Sequence, residues 1–96
     1  MIAVCVRKDG ITVDGHAGYA EAGNDILCAA VSMLAQNLVN SMEALTGDRP
    51  ECHVWDGHID IEWKNLSGGG ALLVDSFFVG ICSLAGTYGS DYIRIS

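Results

Sequence analysis

Basic residues are scarce. Five Lys and Arg stand against twelve Asp and Glu, a formal net charge of −7. Five cations do not make the basic stripe with which a general nucleic-acid binder tracks a phosphate backbone, so no nucleic-acid partner is expected. Such acidity is an ordinary route to solubility and also suits a basic partner. No apolar run reaches membrane-spanning length without a polar break, so no membrane partner is expected. Met1 leads straight into MIAVCV, without a basic leader or a cleavage site, and no signal peptide is expected. The four cysteines, Cys5, Cys28, Cys52 and Cys82, form no CxxC pair. They read as reduced thiols of a cytoplasmic chain, and a disulfide framework is possible by count only. Cys52, His53 and His58 lack the second short-spaced ligand pair of a zinc site, so neither a metal nor another cofactor is expected.

What is present is apolar. Half of the 96 residues are hydrophobic, which favours one compact domain over residues 1–96 and raises the chance of an apolar surface buried in a dimer. Residues 1–8 read as a strand, Asp9-Gly10 as a two-residue turn, and 11–16 as the returning strand. Ile11 and Val13 fall on one face of that strand and Thr12, Asp14 and His16 on the other. Residues 18–24 read as a loop and 25–46 as a long helix. Leu27, Val31, Leu34, Leu38, Met42 and Leu45 form its stripe, and Gly47 stops it. Residues 51–55 and 58–64 read as a hairpin closed by Asp56-Gly57, with His53 and His58 as exposed strand residues. NLSGGG at 65–70 reads as a flexible joint, since no Lys-Ser/Thr follows to make a phosphate loop. A second apolar helix is expected over 71–87 with Cys82 in the core, and a last strand over 91–96. The order β-β-α-β-β-α-β is that of an α+β sandwich, an antiparallel-rich sheet with two helices packed on one face.

One stretch concentrates reactive side chains. Asp25 is a good N-cap, which puts Cys28 in the first turn of the helix, where thiols lose their protons most readily. His16 at the end of the preceding strand can take that proton or pair with the thiolate. Asp25, Cys28 and Ser32 are spaced i, i+3, i+7 and share a helical face. The backbone N–H groups of Cys28 and Ala29 are candidates to hold an oxyanion. The loop with Gly18, Tyr19 and Gly23 reads either as a substrate gate or as an ordinary strand-to-helix connection. The plainer reading of Cys28 alone is a small buried hydrophobe, and of Asp25 alone a cap. Three classes of function fit these residues: a cysteine hydrolase, a thiol-dependent acyl transferase, and a binding or assembly protein in which Cys28 is incidental.

The string GHAGYAEAGNDILCAAVSMLAQNL resembles the signature of the Prp family of ribosomal-processing cysteine proteases. Its pattern is Gly-His-Ala, a short variable loop, Gly-x-Asp-x-x-Cys-Ala-Ala-x-Ser, then an apolar helix. Gly15, His16, Ala17, Gly23, Asp25, Cys28, Ala29, Ala30 and Ser32 all match it. The resemblance implies an endopeptidase with His16 as base and acid, Cys28 as nucleophile, Asp25 and Ser32 in support, and a mobile gate over the site. It further implies a homodimer that removes a short N-terminal extension from large-subunit ribosomal protein L twenty-seven, with apolar and aromatic residues near the cut. Phage relatives imply a virion protein as the other substrate.

Overall fold

The structure, a computed structural model, describes residues 1–16 and 25–96. Among the described residues five strands and two helices follow in the expected order: β1 (Ile2–Arg7), β2 (Gly10–Asp14), α1 (Ile26–Leu45), β3 (Glu51–Trp55), β4 (His58–Glu62), α2 (Gly68–Tyr88) and β5 (Ile93–Ile95). They form one sheet in the order β3-β4-β2-β1-β5. The β1–β5 pairing is parallel, and the β1–β2, β2–β4 and β3–β4 pairings are antiparallel. Alternation along the strands puts Ile2, Val4, Ile11, Val13, Ile59, Ile61 and Ile93 on one buried face. Leu27, Val31, Ala35, Leu38 and Met42 of α1 and Phe77 and Ile81 of α2 complete that core. The other face is polar, with Arg7 joined to Asp60 at 3.5 Å and to the Thr12 hydroxyl.

Several local expectations are corrected. The first turn is Lys8-Asp9, one residue earlier than expected, because Arg7 pairs with Gly10. Gly10 is needed there for space: a Cβ would lie 2.6 Å from the Ile61 carbonyl oxygen of the neighbouring strand. The second helix begins at Gly68, not Ala71, so the glycine run is helix rather than joint. Ser67 caps it, accepting from the Gly70 N–H at 3.0 Å, and Asp48 in turn accepts from the Ser67 hydroxyl at 2.8 Å and backbone N–H at 3.1 Å. Asp48 also explains Gly70, whose Cβ would meet the Asp48 carboxylate at 2.0 Å. Gly80 lets the helices approach, since a Cβ there would sit 3.0 Å from the Leu34 side chain. Cys82 is exposed, not core.

The outer face of α2 is apolar and uncovered, with Leu72, Phe78 and Val79 all exposed. Over 18 residues its mean hydropathy is 1.6, long and apolar enough by composition to cross a membrane, although Asp75 interrupts it. In this fold Phe77 and Ile81 tie the helix into the core.

Candidate active site

The site forms where β2, the β3–β4 turn and the first turns of α1 converge. Asp25 has the extended backbone of an N-cap, and its Oδ1 accepts from the N–H groups of Leu27 and Cys28, each at 3.0 Å. The cap fixes where the helix starts, and so sets Cys28 in its first turn, half-buried. The Ala29 N–H donates to the Asp25 carbonyl at 3.2 Å. Both amides expected to hold an oxyanion, those of Cys28 and Ala29, are therefore engaged by Asp25. Capping an apolar helix and offering its first donors to a ligand are competing uses of the same groups.

His16 departs from the simple strand reading. β2 ends at Asp14, and Gly15 turns the chain with φ +95. A Cβ on Gly15 would strike the Met1 carbonyl oxygen at 2.4 Å. The alternation that would have set His16 beside Asp14 is broken at this glycine. Asp14 instead meets His58, at 3.2 Å from Nδ1. The backbone around His16 is held on both sides: the Gly15 N–H donates to the Gly57 carbonyl at 2.7 Å, and the Met1 nitrogen donates to the His16 carbonyl at 2.5 Å. The imidazole lies over the β3–β4 turn. A Cβ on Gly57 would come within 2.9 Å of His16 Nε2, and Asp56 Oδ1 stands 4.0 Å from the same nitrogen.

One cleft of about 240 Å³ holds both candidates. His16 and Cys28 line it with Ser32 and Gln36 of α1 and with Val54, Asp56 and Gly57 of the second hairpin. The structure thus gathers His16, Cys28 and Ser32 at one cavity, with Asp25 beneath as the cap. The expected gate residues Gly18, Tyr19 and Gly23 lie outside the described residues. Sequence reasoning did not foresee Val54, Asp56, Gly57 or Gln36 here. The Asp-Gly turn was visible as a turn; its place beside His16 depends on β4 pairing with β2. Among the described residues no group of three or more His, Cys, Asp or Glu can hold a metal ion.

A thiol in a helix's first turn and an imidazole from a neighbouring strand end, facing one cleft, is an arrangement for thiol-dependent acyl chemistry. Comparison with known proteins narrows that class. The profile of the family described as cysteine protease Prp matches residues 1–94. The chain is 30% identical over 102 residues to the ribosomal processing cysteine protease Prp of Staphylococcus aureus, covering 99% of this chain and 95% of that protein. Its fold is similar to a crystal structure of the essential S. aureus Prp in complex with a covalently linked product peptide. The TM-score there is 0.87, with 26% identity and coverage of 99% and 95%. A second S. aureus Prp structure, in complex with a substrate peptide, matches with a TM-score of 0.76, 25% identity and the same coverage. A Streptococcus mutans structure matches with a TM-score of 0.77 and 30% identity, over 99% of this chain and 90% of that one. The chain belongs to the cysteine protease Prp family. It is an enzyme, a cysteine protease built on a small α+β sandwich.

Proposed function

We propose that this protease removes a short N-terminal extension from a large-subunit ribosomal protein, L twenty-seven, in the cytoplasm, and that His16 and Cys28 carry the reaction. The observation that bears most weight is the shared cleft: the motif histidine and motif cysteine, twelve positions apart, line one cavity. The bound peptides in the S. aureus relatives support a protein substrate.

In this reading His16 accepts the Cys28 proton as Sγ attacks the scissile carbonyl carbon. The tetrahedral intermediate collapses as His16 passes that proton to the leaving nitrogen. The C–N bond breaks, the amine product departs and a thioester remains on Cys28. Water then attacks the thioester carbon, losing a proton to His16, which returns it to Sγ as the acid product leaves. Asp25 contributes by fixing the start of α1, and Ser32 by lining the cleft one turn along. No cofactor is required. The whole chain, residues 1–96, acts as one catalytic domain. A second copy covers the exposed apolar face of α2, giving a homodimer.

The substrate assignment is tested by incubating the enzyme with the extended ribosomal protein and, separately, with a phage virion protein, and reading the products by mass. A single cut near the N-terminus of the ribosomal protein supports the assignment. Cleavage confined to the virion protein supports a phage substrate. No cleavage of either by the folded protein favours the binding-module alternative.

A further inference from the structure

Among the described residues, the edge of the sheet that borders the cleft has an unpaired side. β3 is the last strand of the sheet, and all five of its residues are exposed. Trp55 and His58 flank the two-residue turn and pair with each other, so they exchange both backbone hydrogen bonds across the hairpin. Alternation along the ladder then directs the N–H and C=O groups of His53 and Glu51 inward to β4 as well. Those of Cys52 and Val54 point outward, away from the sheet. Natural edges are commonly blocked by lysine or proline. Pro50 stands just before this strand, but Cys52 to Trp55 contain neither. The other edge strand, β5, is three residues long with Arg94 at its centre, and it does not line the cleft.

Each face of this edge carries one large exposed apolar side chain. Val54 lies opposite buried Ile59 and lines the cleft with Cys28 and His16, yet is 61% exposed. Trp55, on the opposite face and 57% exposed, is held against His53 and His58 with ring centroids 5.8 and 5.2 Å away. We infer that the substrate docks as an added strand on the outer edge of β3, pairing with the backbone of Cys52 and Val54. Successive residues of such a strand face opposite sides, so alternate side chains lie over Val54 and over Trp55, both of which line the cleft. The ligand class is an extended, unstructured peptide with apolar residues beside the cut. A helical segment cannot use this edge. The occupant is substrate because the edge continues directly into the cleft that holds the reacting groups.

This inference rests on the protease reading and is tested separately from it. In the Cys28→Ala protein, amide hydrogen exchange is measured residue by residue with and without a peptide carrying the ribosomal-protein extension. Exchange at Cys52 and Val54 is expected to slow about tenfold or more on adding peptide, with His53, already bonded to β4, changing little. Alongside, Val54→Pro in the otherwise native enzyme removes only an outward N–H and leaves the β3–β4 ladder intact. It should raise KM roughly five- to tenfold while Cys28 alkylates at the native rate, and Val54→Ala should have the smaller effect. Cleavage without protection at Cys52 and Val54 overturns the docking mode and leaves the protease reading standing. Protection without cleavage upholds docking and overturns the protease reading. Protection that needs no peptide and vanishes on dilution overturns the inference in favour of a second copy on this edge.

Discussion

Asp56 stands 4.0 Å from His16 Nε2, and both side chains are open to water. A contact of that length between two exposed side chains is screened by water, so Asp56 orients the imidazole only weakly. Asp56→Asn should therefore lower kcat/KM by no more than about fivefold, and salt should erase most of the difference. Gly57 matters more. With φ +69, an alanine costs roughly 1–2 kcal/mol in backbone strain, and its Cβ would meet His16 Nε2 at 2.9 Å. Gly57→Ala should cut kcat/KM by about a hundredfold for a modest fall in melting temperature, the signature of a displaced base in a folded protein. The four thiols should also separate. Partial burial and the carboxylates of Asp60 and Glu43 push the Cys52 thiol up, keeping it protonated and slow near neutral pH. Peptide mapping after brief iodoacetamide treatment should find Cys28 alkylated well ahead of Cys52; equal labelling of all four contradicts a reactive Cys28. The placing of Cys28 in the first helical turn was legible from the Asp25 cap, while residue types alone favoured a buried thiol and the motif resemblance singled out His16 and Cys28. Asp56 and Gly57 were not legible, because only the β2–β4 pairing brings a turn forty residues distant beneath the histidine.

At the scale of elements, the start of α2 depends on one small network. Asp48 accepts from Ser67 through side chain and backbone, and Ser67 caps the helix through Gly70. Ser67→Ala should cost about 1 kcal/mol, read as a lower urea midpoint with an unchanged slope. The hydrogen bonds from the Ser67 side chain and backbone hold the Asp48 carboxyl below its ordinary range. A depressed carboxylate stabilises the fold above its unfolded value, about 3.9, and that share is lost as pH falls through the lower folded value. Native and Asp48→Asn melting temperatures should therefore differ at pH 7 and draw together below about pH 4. A constant gap across that range contradicts the network. This network is also why the glycine run misleads: three glycines read as a joint, whereas a serine cap and a carboxylate that tolerates no Cβ at Gly70 make them a helix start. Most of the α1 stripe was readable from its period because its core residues recur at helical spacing, but Leu45 at the helix end is exposed rather than core. Cys82 was misassigned because α2 is apolar on nearly every side, and periodicity cannot choose a buried face when no polar face marks the other.

For the whole molecule, the exposed apolar face of α2 is the feature that bears on assembly. Leu72, Phe78 and Val79 belong to a helix whose inner residues, Phe77 and Ile81, are already committed to the core. If a second copy covers this face, Val79→Glu leaves the fold intact and splits the dimer, seen by sedimentation as a halved mass at equal concentration. A native protein that sediments as a monomer contradicts the dimer. The net charge of −7 should speed the encounter with a basic ribosomal protein, so kcat/KM on that substrate should fall as salt rises.

The central claim, that Cys28 is the nucleophile of a protease, is tested most directly by the covalent intermediate itself. The enzyme is mixed with the extension peptide and quenched in acid within the first turnover. Its intact mass is recorded and the modified residue located by digestion, beside Cys28→Ala and His16→Ala. The account predicts a mass gain equal to the acyl half of the cleaved peptide, located on Cys28, absent in Cys28→Ala and strongly reduced in His16→Ala. Cleavage that persists in Cys28→Ala, or an adduct on Cys5, Cys52 or Cys82 in its place, would contradict it.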